Sequence, residues 1–477
     1  MSEHIAPARA ADPAADIPDS TTRKNDPREV FGWMTYDWAN SAFYTTVVGA
    51  LYGEYLTYVT QQSVGAEGVA LSLGPLGSIS AKSYDPLCIT LAVMLQIFLL
   101  PLLGAIADYS NLKKRLMAVF CYTGASATAL MYFVADGRYL LGGLLFLVAM
   151  LSFNAAIVLY NSYLPQITTE DRRDKVSSRG FALGYLGGGI LLLLNSLFIN
   201  AAPRLGLAET TAVRLSLFSA GIWWGGFALI TFLTLRSHNA ARPLPPGKGI
   251  LTVGFSELGR TFRELRRLKH TFRYLLAYLF FIDGVQTIIG MAGVFLAQEL
   301  FVSRGAATDR SFLIGIFLMV QFMAIFGALL FERVAAFVGT KRAIMASLVI
   351  WSGIVIYAYA FLQTTGQAWW MAAVIAVVLG GTQALSRSLF SRMIPAGREA
   401  SFFGLYEISE RASWMGMGVF TIVVNQTGSY RQAILFLIFF FAVGLFILLF
   451  TDTDRAIHEA GNALPEEVEQ ADTPVSV

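Results

Sequence analysis

Two acid–amide pairs sit inside long apolar stretches of this chain, where they could hold an ion or a polar solute. Asp37 and Asn40 lie in Tyr36-Asp37-Trp38-Ala39-Asn40-Ser41-Ala42-Phe43, and Asp283 and Gln286 repeat the spacing in Phe281-Ile282-Asp283-Gly284-Val285-Gln286. Residues three apart on a helix share a face. A carboxylate in lipid costs several kcal/mol unless it faces a polar interior, so both acids are candidate functional groups. A third set is Glu407, Glu410 and Arg411, in Tyr406-Glu407-Ile408-Ser409-Glu410-Arg411. Glu407 and Arg411 are i, i+4 neighbours, and one reading is that they neutralise each other. The other is that Arg411 holds a substrate carboxylate bidentately while an acid holds the ammonium. Asn40 and Gln286 would then be neutral hydrogen-bond partners.

The elements that position these groups are membrane helices. The chain has 477 residues, 55% hydrophobic and 14% charged, with a mean hydropathy of +0.58. A soluble chain carries roughly 25% charged residues. A helix crosses a bilayer with about 20 apolar residues. Twelve such runs are read, near 28–58, 87–107, 116–135, 139–163, 177–200, 213–235, 273–300, 311–332, 343–362, 369–392, 401–424 and 431–451. The fold class is therefore an all-α polytopic membrane protein. The alternating ten-residue segments of a transmembrane barrel are missing. No apolar core precedes Arg28, so no cleaved signal peptide is expected.

Basic clusters fall at Lys113-Lys114-Arg115, Arg172-Arg173-Lys175, from Arg236 to Arg273, at Lys341-Arg342, and at Arg392 with Arg398. The opposite connections hold only scattered basic residues. The positive-inside rule then places both termini in the cytoplasm. The expected organisation is a disordered tail (1–26), a six-helix half (27–235), a cytoplasmic linker (236–272), a second half (273–452) and a disordered tail (453–477). Within the linker, Phe255, Leu258, Phe262, Leu265 and Leu268 alternate with basic residues as in a surface-lying amphipathic helix. All four histidines lie in tails or linker, which disfavours a haem or redox role. No phosphate-binding Gly-x-x-x-x-Gly-Lys-Ser/Thr loop is present, which disfavours ATP-driven transport. No cofactor or metal, no nucleic-acid partner and no enzymatic activity are expected.

The halves read as a repeat. Asn161-Ser162 matches Ser386-Arg387, Gly180-Phe181 matches Gly404-Leu405, and Gly104 matches Gly327, at separations of 225, 224 and 223 positions. Asp283 lies ten residues after Arg273, about 15 Å into a ~30 Å core. Asp37 reaches a similar depth if its helix starts near Pro27, and is interfacial if the helix is shorter. Duplicated halves around a midplane site are how secondary transporters are built. Helix 5 carries Gly180, Gly184 and Gly188, a small-residue seam for close helix packing or for sliding. Arg387, with Gln383 near the cytoplasmic end of helix 10, reads as a gate or a lipid-facing anchor rather than a ligand.

Gly104-Ala105-Ile106-Ala107-Asp108 with Lys113-Lys114-Arg115 resembles the helix 2–3 signature of the major facilitator superfamily, with Asn111 in the usual glycine place. The second copy, Glu332-Arg333 and then Gly339-Thr340-Lys341-Arg342, is longer and degraded. The resemblance implies twelve helices in two pseudo-symmetric six-helix halves and a conformational gate at Asp108, Lys113, Lys114, Arg115 and Glu332, with Arg387 beside it. The segments around Asp37, Tyr160-Asn161-Ser162-Tyr163-Leu164-Pro165, the helix 5 glycines and Gly380-Gly381-Thr382-Gln383-Ala384-Leu385-Ser386-Arg387-Ser388 are similar to the vacuole effluxer branch of that superfamily, over residues 28–451. That branch implies export of neutral amino acids from a compartment. A monomeric bacterial inner-membrane transporter is expected, binding a small-molecule substrate within the lipid bilayer. Asp37, Asp283, Glu407 and Glu410 permit proton coupling. The rival expectations are an exporter of another metabolite or drug, and a non-transporting lipid handler or sensor.

Overall fold

The computed structural model describes residues 24–72, 74, 77–238, 250–411 and 414–461, with side chains at all of these except 250–253, 255–258, 411 and 414. Helix α1 (Pro27–Ala42) begins where Asp26 accepts the Arg28 amide and Pro27 fills the first turn, a position that needs no N–H. It continues as π-helix over Phe43–Leu51 and then as α2 (Tyr52–Val64). A short hairpin of β1 (Val69–Ser72) and β2 (Ser78–Ser80) fills the long connection that follows. Then come α3 (Tyr84–Asp108), α4 (Lys113–Leu130), α5 (Tyr139–Ile167), α6 (Arg173–Ala201) and α7 (Glu209–Thr234). The linker contains α8 (Ile250–Arg267). The second half follows as α9 (Lys269–Leu300), α10 (Arg310–Val338), α11 (Thr340–Ala360), α12 (Thr365–Arg392), α13 (Glu399–Arg411), α14 (Trp414–Thr427), α15 (Tyr430–Phe436), α16 (Ile438–Leu449) and α17 (Thr453–Glu459).

Among the described residues, ten helical stretches are long and apolar enough to cross a bilayer. The other two of the twelve crossings are Pro27–Val64, a helix that turns π-helical over Phe43–Leu51, and the one that holds α13 and α14. They are also crossings that hold Asp37, Glu407 and Glu410. A π-helical stretch is rare and concentrates at functional sites; here its residues Tyr44, Thr45, Val48, Gly49 and Ala50 line the central cavity. The fold is the all-α, two-half major facilitator architecture. Between the halves α3 packs on α13 and, reciprocally, α10 on α6, as a two-fold repeat requires.

Glycine sets the closest of these approaches. A Cβ on Gly104 would lie 2.2 Å from the Ala400 carbonyl oxygen, and one on Gly404 2.9 Å from that of Leu100. The helix 5 seam closes α6 onto α1 within one half: a Cβ on Gly184, Gly187 or Gly188 would come within 2.8, 2.6 or 2.5 Å of Ser41 Oγ, the Trp38 carbonyl or Thr45 Oγ1.

Two sequence expectations are adjusted. The C-terminal tail taken as disordered from 453 opens with α17, whose first turn is capped by the Asp452 carboxylate. The linker helix extends over Ile250–Arg267. It lies on α3, where Gly254 faces Leu102 and Ile106, with Thr261 and Leu265 buried beneath it. Phe255 and Leu258, expected on its apolar face, have side chains outside the described residues.

Candidate functional site between the halves

Between the halves lies a cavity of about 1260 Å³. Its floor holds Asp37, Asn40, Asn161, Arg387, Glu407 and Glu410. Its walls run out past Glu54, Pro86 and Thr421, on the side opposite the basic connections. Most of the wall is apolar, so the polar groups at the floor are where a ligand is oriented.

Arg387 is the centre of that floor. Its side chain on α12 is buried and forms an ion pair with Asp37 of α1, Nη2 to Oδ2 3.2 Å. Nη1 also donates to the same oxygen at 3.2 Å and to Asn161 Oδ1 at 3.3 Å; Nε donates to Ser177 Oγ and Nη2 to the Ser177 carbonyl, both at 3.0 Å. The guanidinium carbon lies 4.1 Å from the Phe181 ring centroid and 4.8 Å from that of Trp33, close enough for cation–π attraction. Tyr160 donates its hydroxyl to Asp37 Oδ2 at 2.7 Å, and Trp33 stacks on Tyr160 at 4.4 Å. A Cβ on Gly180 would lie 2.7 Å from Asp37 Oδ2, so the missing side chain makes room for the pair. Removing one partner of such a pair costs about 3–5 kcal/mol because the other charge is left buried.

The opposite wall of the floor is acidic. Glu407 of α13 accepts from Asn161 Nδ2 at 2.8 Å, which ties α13 to α5. Glu410 accepts from Gln286 Nε2 at 3.0 Å and from the Tyr278 hydroxyl at 3.3 Å, both on α9. Asn40 lines the cavity, and its buried Nδ2 has no partner among the described residues. The structure thus brings Asp37, Asn40, Gln286, Glu407 and Glu410 to one cavity.

Asp283 is the exception. It is absent from the lining and fully buried, with Oδ1 and Oδ2 accepting the Gly416 amide at 3.1 and 3.0 Å. Gly416 belongs to α14. The expectation that both intramembrane aspartates face the cavity is corrected: Asp283 accepts a backbone amide of α14, and Gln286 reaches the cavity instead. Arg411, the expected carboxylate ligand, has its side chain outside the described residues. Arg387 is neither lipid-facing nor peripheral. The sequence reading missed Trp33, Tyr160, Asn161, Ser177 and Phe181 as site residues; Asn161 had a signal, since its repeat partner lies next to Arg387.

The basic face is closed. Asp108 accepts the Ala400 and Ser401 amides at 3.0 and 2.8 Å and the Ser401 hydroxyl at 2.6 Å, capping α13 across the halves. Arg173 donates to the Ser391 carbonyl at 2.8 Å and Ser177 to that of Ala384 at 2.8 Å. Asp174 of α6 accepts from Thr340 at 2.6 Å and pairs with Arg392 at 2.8 Å. In the second copy of the helix 2–3 motif the acid therefore sits on the facing helix, and Glu332 stands half-buried near Arg179 and Lys175. Lys113 lies 5.5 Å over the Tyr163 ring and Lys114 donates to the Leu235 carbonyl at 2.5 Å, so both stay within their own half; Arg115 is exposed. Arg398 pairs with Glu264, linking α8 to the second half. Among the described residues, no group of three or more His, Cys, Asp or Glu is placed to hold a metal ion.

Comparison with known proteins agrees with this architecture. The family described as "Vacuole effluxer Atg22 like" matches residues 25–461. The chain is 31% identical to the uncharacterized MFS-type transporter YxiO of Bacillus subtilis, over 91% of this chain and 97% of that protein. It is 26% identical to autophagy-related protein 22-1 of Penicillium rubens, over 93% of each. In fold it is similar to FucP, a major facilitator transporter in the outward conformation, with a TM-score of 0.64 at 12% identity, covering 90% of this chain and 99% of FucP.

Proposed function

The chain belongs to the Atg22-like vacuole effluxer family, a multi-pass membrane transporter of the major facilitator type, and on that premise we propose that it moves small zwitterionic solutes, neutral amino acids first among them. The observation that carries this reading is the composition of the cavity floor. Arg387 offers a cation for a carboxylate, Glu407 and Glu410 offer anions for an ammonium, and Asn40 adds an amide donor that no described residue uses. The apolar walls suit a hydrophobic side chain. With both termini in the cytoplasm of an inner membrane, as the positive-inside rule favours, the closed face is cytoplasmic and the cavity is in its outward-open state. Proton coupling is part of the proposal, with the acids of the floor as carriers, and the unit is a monomer.

A second reading has one observation in its favour. Of the described charged side chains lining the cavity, four are acids (Asp37, Glu54, Glu407, Glu410) and one, Arg387, is basic. That balance suits a cationic amphiphile and hence a drug exporter. Purified protein in proteoliposomes separates the two. Uptake of radiolabelled leucine driven by an imposed pH gradient, lost in Arg387→Gln and in Glu410→Gln, is the expected result. Transport of tetraphenylphosphonium without any amino-acid flux would instead establish the exporter.

A further inference from the structure

We propose that Asp37 is an internal occupant of the substrate-carboxylate subsite, and that a ligand carboxylate reaches Arg387 only by evicting it. The inference deepens the amino-acid reading and rests on it. A guanidinium has five N–H donors, and all five of Arg387 are engaged: one on Ser177 Oγ, one on the Ser177 carbonyl, one on Asn161 Oδ1 and two on Asp37 Oδ2. No donor is left for an incoming anion. Phe181 and Trp33, at 4.1 and 4.8 Å, hold the group in place, so it does not swing out to meet a ligand elsewhere.

The three hydrogen-bonded neighbours differ in how easily they give way. Ser177 and Asn161 are neutral parts of the framework. Asp37 is the one anion, and its grip is suboptimal. A single oxygen takes both Nη groups at 3.2 Å, whereas charge-assisted bonds of a two-oxygen fork run about 2.7–2.9 Å. A free carboxylate offering both oxygens can make that fork. The Tyr160 hydroxyl, bonded to the same oxygen at 2.7 Å, holds Asp37 against Arg387, and a displaced Asp37 gives up that bond and turns into the cavity whose surface it already reaches. Asn40, one turn along α1, stands ready for the ligand with its unpartnered Nδ2.

The exchange has a mechanical consequence. Asp37 is on α1 and Arg387 on α12, so the pair ties the two halves at the cavity floor. A ligand that takes Arg387 replaces this tie between helices with a bond to itself. Occupancy of the site is thereby converted into release of α1 from α12.

The test uses the full-length protein in detergent and reads intrinsic tryptophan fluorescence, to which Trp33 beside the site contributes, with isothermal titration calorimetry alongside. Three probes are titrated: L-leucine, isocaproate (the carboxylate without the amine) and isoamylamine (the amine without the carboxylate). An intramolecular competitor reduces apparent affinity by the fraction of time it occupies the site, so Asp37→Asn is expected to tighten leucine and isocaproate about tenfold or more. Isoamylamine should be unchanged. Arg387→Gln should lose both carboxylates and keep the amine. Tyr160→Phe frees Asp37 from its tether while keeping the ion pair, and should move carboxylate affinity in the same direction by less; it carries the test if Asp37→Asn does not fold. Carboxylate affinity that falls or stays constant in these variants overturns the exchange alone. Binding of isocaproate but not leucine by the wild type rejects the amino-acid reading and leaves the exchange to be judged on isocaproate. Failure of every variant to bind either carboxylate rejects both.

Discussion

At the scale of single residues, an intramembrane carboxylate is a functional candidate because lipid tolerates it so poorly, yet burial alone does not say what it meets. Asp37 meets an arginine and Asp283 meets a backbone amide. The two sat at matching places in a repeat, but the Gly416 amide of α14 takes Asp283 and keeps it out of the cavity lining. Asp283→Ala should therefore behave as a stability mutation. Leaving the buried Gly416 amide without its acceptor costs about 1–3 kcal/mol, which a thermal melt in detergent will register. Leucine binding by the folded variant should match that of the wild type. Lost binding with an unchanged melting temperature would return Asp283 to the ligand site. Charge inside an apolar run was the legible signal for Asp37, Glu407 and Glu410. Arg387 was misread because its place near the end of α12 suggests a snorkelling anchor, and only packing shows the side chain turned inward under Phe181. The aromatic shell of Trp33, Tyr160 and Phe181 gave no signal, since aromatic residues are common throughout such helices.

At the scale of elements, the same logic explains how the basic face closes. Gly104 and Gly404 let α3 and α13 touch backbone to backbone, and the chain then delivers Asp108 to the first turn of α13. An acid there satisfies orphan N–H groups and meets the positive end of the helix dipole. The helix 2–3 signature made Asp108 a gate residue from sequence. Its partner was not legible, because the contact is with backbone amides, which carry no residue identity. The second motif copy read as degraded for a related reason: Thr340 donates to Asp174 on α6, so the acid had moved to the other side of the contact. Losing a cap costs about 0.5–2 kcal/mol. Asp108→Ala should then shift the balance toward the state open on the basic face by about 2- to 30-fold. Spin labels spanning the α3–α13 ends would report this as a longer-distance population, while ligand affinity in a fixed state stays close to wild type. Distances that do not move would assign Asp108 a purely structural cap.

At the scale of the whole molecule, twelve crossings, two halves and the polarity of the connections were readable because a bilayer imposes length and composition on every span. The π-helical stretch of the first crossing escaped that reading. It leaves hydropathy almost unchanged, yet it puts irregular backbone beside the cavity, where membrane proteins tolerate it. The resulting asymmetry, sealed at the basic face and open opposite, makes a claim about access that a thiol reagent can test. Cys88 and Cys121 are both buried, so background labelling should be low. Thr421→Cys, in the exposed wall of the cavity, should react with an impermeant maleimide in right-side-out vesicles. Ser391→Cys is buried where Arg173 seals the basic face. It should react slowly from either side, and faster in inverted vesicles when combined with Asp108→Ala. Labelling of Thr421→Cys only in inverted vesicles would reverse the assigned orientation of the termini. Rapid labelling of Ser391→Cys in the otherwise wild-type chain would mean that the molecule rests open to the basic side in the membrane, with the closed face as its minor state.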